Sequence, residues 1–262
     1  MNDLKREIEI VREGLKEIVS DKQLGVDYVS ICALALELIE QTLGSNYSFP
    51  VDIEAIVKEL GIDVIYQPLN SIWKDGEKSV HKMVGTSFIT PKAPDKKSIS
   101  CIWIDSESRQ EERRYALAHE LAHCLVRDEE KVHSGAYYLM PMLFKDMEEM
   151  VADIFAIFLL IPIPAFFEMF YEYIKVQNEP VRTSEWLKYL SYVANVSYEE
   201  VSIGYQNIRY VSGIIYKLRH DDIELSTQVK KFTSPELKDI VMKQFNKIVK
   251  NMSNDMEELL YL

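Results

Sequence analysis

The sequence predicts an α+β protein that is mainly helical, with a small β-sheet in its first half and a helical C-terminal region. Apolar residues recur at helical spacing over most of the chain. Three short runs rich in β-branched residues, all within residues 62–104, are typical of strands. The 262 residues are 47% hydrophobic and 27% charged, so the chain can bury a core and is not expected to be disordered.

The first elements of the chain are predicted to be helices. Apolar spacing predicts one helix at the N-terminus and a second over about 27–43. A short helix over about 51–60 ends at Gly61, a residue typical of helix C-termini. We expect residues 1–48 to form a helical extension ahead of a core domain at 49–165.

Strands and a long helix follow. The β-branched runs predict strands over residues 62–66, 85–90 and 98–104. A long helix is then expected over about 106–126, with Ser106 as its N-cap. We predict that residues 127–143 form a loop.

A second strong helix is predicted over about 144–161, where the chain meets two prolines. Residues 211–231 could continue a helix or form a hairpin. Further helical patterns cover residues 164–174, 184–194, 198–210 and 234–260. We therefore expect residues 166–262 to be a helical region with a possible role in substrate recognition.

Composition excludes several classes of protein. With 30 basic and 42 acidic side chains the net charge is −12, which argues against nucleic acid as the main ligand. Three cysteines, with no CxxC pair, exclude a disulfide scaffold and suit a reduced compartment. The longest apolar run, residues 154–167, is shorter than the about 20 residues of a membrane span and contains two prolines. We expect a soluble, cytoplasmic protein.

The sharpest chemical signal is an HExxH pattern at residues 119–123 (HELAH), inside the long predicted helix. The spacing puts His119 and His123 on one helical face, so both imidazoles can reach one metal ion. Glu120 lies between them and is expected to act as a general base on water. Apolar residues surround the motif, and ionisable groups buried on such a helix require partners.

A catalytic zinc site needs a third protein ligand. Glu149 and Asp153, one turn apart on the next helix, share a side, so that Glu149 could bind the metal while Asp153 supports a histidine ring. The residues alone leave the third ligand open among Glu149, Asp153 and His133. Glu148 is expected to face solvent.

Several linked blocks resemble the ImmA/IrrE family of metallopeptidases. Residues 113–123 (RRYALAHELAH) resemble the family's HExxH block, and 149–156 (EMVADIFA) with 159–162 (LLIP) resemble its second block. Residues 50–62 are similar to its opening helix and first strand. The resemblance covers about residues 50–165, and it implies a zincin-like metallopeptidase fold.

The resemblance implies that Glu149 is the third metal ligand, beside His119 and His123, in a zinc site. Mn²⁺ or Fe²⁺ can occupy the same ligands. The sequence departs from the family pattern at Asp153, where Asn is usual, at Ala122 for Gly and at Ile161 for Met.

The resemblance further implies a zinc-dependent endopeptidase that cleaves a regulatory protein, a helix-turn-helix transcriptional repressor. Genes of this family often lie in mobile elements or stress-response circuits.

His133, Tyr137 and Tyr138 are candidates for stabilising the oxyanion, although an exposed loop histidine is the commoner case.

Two other functions compete with the peptidase. The first is a binding protein that grips a repressor or toxin without cutting it, with Asp153 as a fourth ligand that closes the metal site. The second is DNA binding by residues 186–201, which resemble a small helix-turn-helix but are poor in cations. We expect no direct binding of nucleic acid.

Overall fold

A computed structural model describes most of the chain. The described residues are 2–21, 26–69, 83–89, 100–127, 135–138, 146–177, 182–220, 223–225 and 232–251. Helices in these ranges are α1 (Asn2–Ser20), α2 (Tyr28–Leu43), α3 (Ile53–Glu59), α4 (Gln110–Val126), α5 (Met147–Leu160), α6 (Ile163–Lys175), α7 (Thr183–Ala194), α8 (Tyr198–Arg219) and α9 (Pro235–Asn251). The strands are β1 (Asp63–Gln67), β2 (Met83–Ile89), β3 (Ser100–Asp105) and β4 (Gly135–Tyr138). The predicted α+β, mainly helical fold is confirmed.

The sheet is small and mixed, with strand order β1-β3-β2-β4. Strand β1 runs parallel to β3, whereas β2 is antiparallel to both β3 and β4. Helix α4 packs against β2 and β3. Gly85 on β2 permits this close approach, since a Cβ atom there would lie 3.2 Å from the Cβ of Ala116 and 3.3 Å from the Cγ of Glu120.

Helices α2, α4 and α5 are all largely buried. α5 begins at its N-cap Asp146, whose carboxylate accepts the backbone N–H of Glu149 at 3.0 Å. α5 packs against α4, and α2 packs against α5. This packing fixes the first turn of α5 beside the middle of α4.

The N- and C-terminal helices belong to the same hydrophobic core. Apolar residues of α1, α2 and α9 are buried together with those of α4 and α5. Gln244 of α9 donates hydrogen bonds to the carboxylates of Glu37 and Glu40 on α2, the latter at 3.0 Å. The predicted domain limits at residues 48 and 165 remain predictions.

Helices α5 and α6 meet at a 52° bend after Ile161. Among the described residues, no single helix is long and apolar enough to cross a membrane, and only this bent pair together has the length and composition. Nine of the residues of α5 are buried in the core, which accounts for its apolar character.

Two local predictions were wrong, and one alternative that the sequence left open is decided in part. Ser106 is not an N-cap: its N–H donates to the carbonyl of Gln67, and α4 begins only at Gln110, after Arg109. The predicted loop at 127–143 contains strand β4, which needs β2 as its partner. Residues 211–219 continue α8, so the helical alternative holds there and the hairpin does not.

Candidate active site

The HExxH pattern lies in the buried middle of α4. His119, Glu120 and His123 are each at most 1% exposed. Apolar neighbours on the helix are buried too, so these three ionisable groups depend on one another and on α5 for partners. The part of the site on α4 is therefore buried, whereas Glu149 at the start of α5 keeps 32% of its side chain exposed.

Donor atoms from α4 and α5 converge on one point. The Nε2 atoms of His119 and His123 are 3.1 Å apart. Of the two carboxylate oxygens of Glu149, Oε2 lies 3.3 Å from Nε2 of His119 and Oε1 lies 3.2 Å from Nε2 of His123. Ligands at 2.0–2.1 Å around a tetrahedral zinc ion are separated by about 3.3 Å, so this set has the spacing of a metal site. His119, His123 and Glu149 could hold a metal ion.

Each imidazole has a second carboxylate at its other nitrogen. Oδ1 of Asp153 lies 3.0 Å from Nδ1 of His119, and the hydroxyl of Tyr115 donates to the same oxygen at 3.3 Å. Oε1 of Glu148 lies 2.7 Å from Nδ1 of His123. Asp153 and Glu148 are thus on the far sides of the two rings from Glu149.

The expectation that Glu148 faces solvent was wrong. Its carboxylate also accepts a hydrogen bond from Nε of Arg127 at 2.7 Å. Arg127 is the C-cap of α4 and is 9% exposed. Periodicity along α5 gives no sign of this contact, because it depends on how α4 and α5 cross.

The charges of the site reinforce one another. Burial lowers the pKa of His119, but its hydrogen bonds to Asp153 and Glu149 outweigh burial and raise that pKa to about 9. Burial also lowers the pKa of His123, and Glu148 and Glu149 reverse the effect, so the net shift is upward. The hydrogen bond from His123, aided by Arg127, holds the pKa of Glu148 at about 2. Burial raises the pKa of Glu149, but both histidines lower it well below its ordinary value. A metal ion would compete with protons for these nitrogens.

Glu120 differs from the other acids of the site. Its Oε2 atom is buried and has no hydrogen-bond partner among the described residues. Its charge contributes to the raised pKa of both histidines, so it lies near their rings. A buried carboxylate oxygen with no protein partner suits a group that binds water or substrate.

The oxyanion candidates have different positions. His133 lies outside the described residues. Tyr137 and Tyr138 lie on strand β4, where Tyr137 is opposite Gly85 and Tyr138 opposite Met83 of β2. Because Gly85 lies against Glu120, the backbone at Tyr137 is near the site. The roles of these residues, like those of the ligands and of Glu120, remain predictions.

An α+β fold with an HExxH helix and a glutamate from a second helix defines a zincin-like metallopeptidase. The family model of the IrrE N-terminal-like domain, Peptidase_M78, matches residues 57–204. The chain belongs to the ImmA/IrrE family, as its sequence motifs indicated. Comparisons with curated proteins and with solved structures gave no match.

Proposed function

We propose that this protein is a zinc-dependent endopeptidase that cleaves a regulatory protein in the cytoplasm. The observation that carries the proposal is the convergence of His119, His123 and Glu149, whose donor atoms lie 3.1–3.3 Å apart. Membership of a metallopeptidase family supports the same conclusion. Cys32, Cys101 and Cys124 are free thiols, in keeping with a reduced compartment.

Each site residue has a distinct task in this proposal. His119, His123 and Glu149 would hold the metal ion, which when bound would supply the Lewis acidity that lowers the pKa of water to about 7 and polarises a carbonyl. Glu120 accepts a proton from the attacking water and delivers it to the leaving amine. Its buried, unpartnered Oε2 atom is available for this transfer.

The proposed substrate is a helix-turn-helix transcriptional repressor. This choice follows the family resemblance and is therefore an analogy. The net charge of −12 is compatible with a basic DNA-binding substrate, since opposite charges favour encounter.

The alternative is a protein that grips a repressor or toxin without cutting it. A closed metal site would need a fourth protein ligand, and Asp153 is the candidate from the sequence. Its oxygen lies 3.0 Å from Nδ1 of His119, whereas the convergent donors are Nε2 atoms. This position favours a supporting role for Asp153 and leaves three convergent protein ligands among the described residues, which is the number in a catalytic zinc site and supports the peptidase.

The test is cleavage of purified helix-turn-helix repressors by the zinc-loaded protein, followed by mass spectrometry of the products. We expect a defined cut with wild type and a loss of about 10²-fold or more with Glu120→Gln. The matched control is Glu111→Gln, which removes the charge of a partly exposed glutamate on the same helix as Glu120. This variant should cleave normally. Equal cleavage by wild type and Glu120→Gln would refute the assigned mechanism. Binding of a repressor without any cleavage would favour the gripping protein.

A further inference from the structure

We infer that Glu148, anchored by Arg127, is a positioning residue that sets the orientation of the His123 ring toward the metal. The inference rests on the proposed function, because it assumes that His123 is a metal ligand. It assigns a role to the first turn of α5 beyond that of Glu149.

The contacts of His123 divide its ring into two sides. Nδ1 lies 2.7 Å from Oε1 of Glu148, and Nε2 lies 3.2 Å from Oε1 of Glu149. The two glutamates are adjacent in sequence but reach opposite nitrogens of one ring. Glu148 therefore cannot bind the same metal ion as Nε2, and its contact with the ring must serve another purpose.

A carboxylate at Nδ1 fixes the state of the imidazole. It accepts a hydrogen bond from Nδ1–H, so that the neutral ring keeps its proton on Nδ1 and its lone pair on Nε2 for the metal. It also restrains rotation of the ring, because turning away would break the 2.7 Å hydrogen bond. Partners of this kind raise the basicity of the ligand and hold its direction.

Arg127 holds Glu148 in place. Glu148 keeps 30% of its side chain exposed, so water competes for its carboxylate. Nε of Arg127 donates to the same Oε1 atom at 2.7 Å, and its Nη1 donates to Oγ of Ser87 on β2 at 3.3 Å. The guanidinium is always charged, and here it is buried. Arg127 thus connects the end of α4, the sheet and α5, and it acts on His123 through Glu148.

A carboxylate also lies beside Nδ1 of the other histidine. His119 has Asp153 at its Nδ1 atom, and Tyr115 donates to that carboxylate. Helix α5 therefore supplies one carboxylate between the rings and one behind each ring. Behind His123, the carboxylate of Glu148 accepts a hydrogen bond from a buried cation, Arg127.

The experiment measures the zinc affinity of the full chain and its variants by competition with a chelator. Loss of an outer hydrogen-bond partner typically weakens metal binding about 10–100-fold, and we expect this for Glu148→Ala. Glu148→Gln should recover part of the loss, because its amide oxygen still accepts the Nδ1 proton. The control is Glu112→Ala. Glu112 lies on α4, as the two histidines do, but it pairs with Arg109 at 2.8 Å and not with their rings, so its loss should leave zinc affinity unchanged.

A double-mutant cycle tests whether Arg127 acts on His123 through Glu148. Arg127→Met should weaken zinc binding in the wild-type background and have no further effect in Glu148→Ala. Co²⁺-loaded protein gives a second readout, since its visible spectrum reports ligand geometry. The spectrum should change in Glu148→Ala and stay unchanged in Glu112→Ala, which a purely structural role would not produce.

The outcomes separate this inference from the proposed function. If wild type binds zinc and Glu148→Ala binds it equally well with the same Co²⁺ spectrum, the positioning role is wrong and the metal site stands. If wild type binds neither metal, the proposed function fails and this inference fails with it. If Glu148→Ala loses affinity but Glu112→Ala loses as much, the effect is general destabilisation and the inference is overturned.

Discussion

Gly204 on α8 lies in close contact with Ile157 of α5, and replacing it with alanine should destabilise the protein. A Cβ atom at this position would overlap Cγ1 of Ile157 and lie 2.6 Å from its Cδ1. Carbon atoms in contact normally stay about 3.5–4.0 Å apart. Ile157 is only 1% exposed, so its side chain cannot turn out into solvent to relieve the overlap.

The expected magnitude follows from two opposing effects. Overpacking of a core costs about 1–3 kcal/mol. Replacing a helical glycine with alanine stabilises the helix by about 1 kcal/mol, which offsets part of this. Gly213, on the same helix, has no atom within 4 Å of its hypothetical Cβ, so Gly213→Ala should show the stabilising part alone. The two variants should therefore differ by about 1–3 kcal/mol in the free energy of unfolding.

Thermal unfolding followed by circular dichroism measures this difference. In a chain of this size, 1 kcal/mol corresponds to about 2–4 °C in Tm. Gly204→Ala should melt below Gly213→Ala, and adding Ile157→Ala should recover part of the loss caused by Gly204→Ala. An equal Tm for the two glycine variants would refute this description of how α8 packs on α5.

Three further predictions concern the metal and a buried acid. Asp153→Ala should weaken zinc binding about 10–100-fold in chelator competition. Asp153→Asn keeps an oxygen acceptor for Nδ1 of His119, so it should bind zinc nearly as well as wild type. Equal losses of zinc affinity in the two variants would contradict this role of Asp153. Removing the metal with EDTA should lower Tm, because a ligand present at 1,000 times its Kd stabilises the folded protein by about 4 kcal/mol. An unchanged Tm would argue against a specific site. Burial, with repulsion from Glu112 and Glu199, raises the pKa of Glu200 from 4.5 to about 8. Its protonation therefore stabilises the fold fully below pH 4.5, and that stability is lost as pH rises through 8. Glu200→Gln should consequently match wild type in unfolding free energy near pH 4.5 and exceed it by about 5 kcal/mol near pH 8.5, because each pKa unit corresponds to about 1.4 kcal/mol; a constant difference across this range would refute it.

The residues that share one helix were predictable from the sequence. His119 and His123 are one turn apart, so their common face follows from the geometry of α4 alone. The fold class followed from apolar periodicity in the same way. These features need no knowledge of tertiary structure.

Features that depend on pairing between elements were not predictable. Strand β4 is short and forms only against β2, so its residues were assigned to a loop. Glu148 meets His123 and Arg127 because of the angle at which α5 crosses α4. Ser106 has the chemistry of an N-cap, but its N–H donates to the carbonyl of Gln67.

The central claim is that His119, His123 and Glu149 together hold one metal ion. Metal content of the purified protein by mass spectrometry, after incubation with zinc and removal of excess, tests it most directly. We predict about one zinc per chain in wild type and in Glu120→Gln, and loss of zinc in His123→Ala and Glu149→Ala. Absence of zinc from wild type, or full occupancy in Glu149→Ala, would contradict the claim.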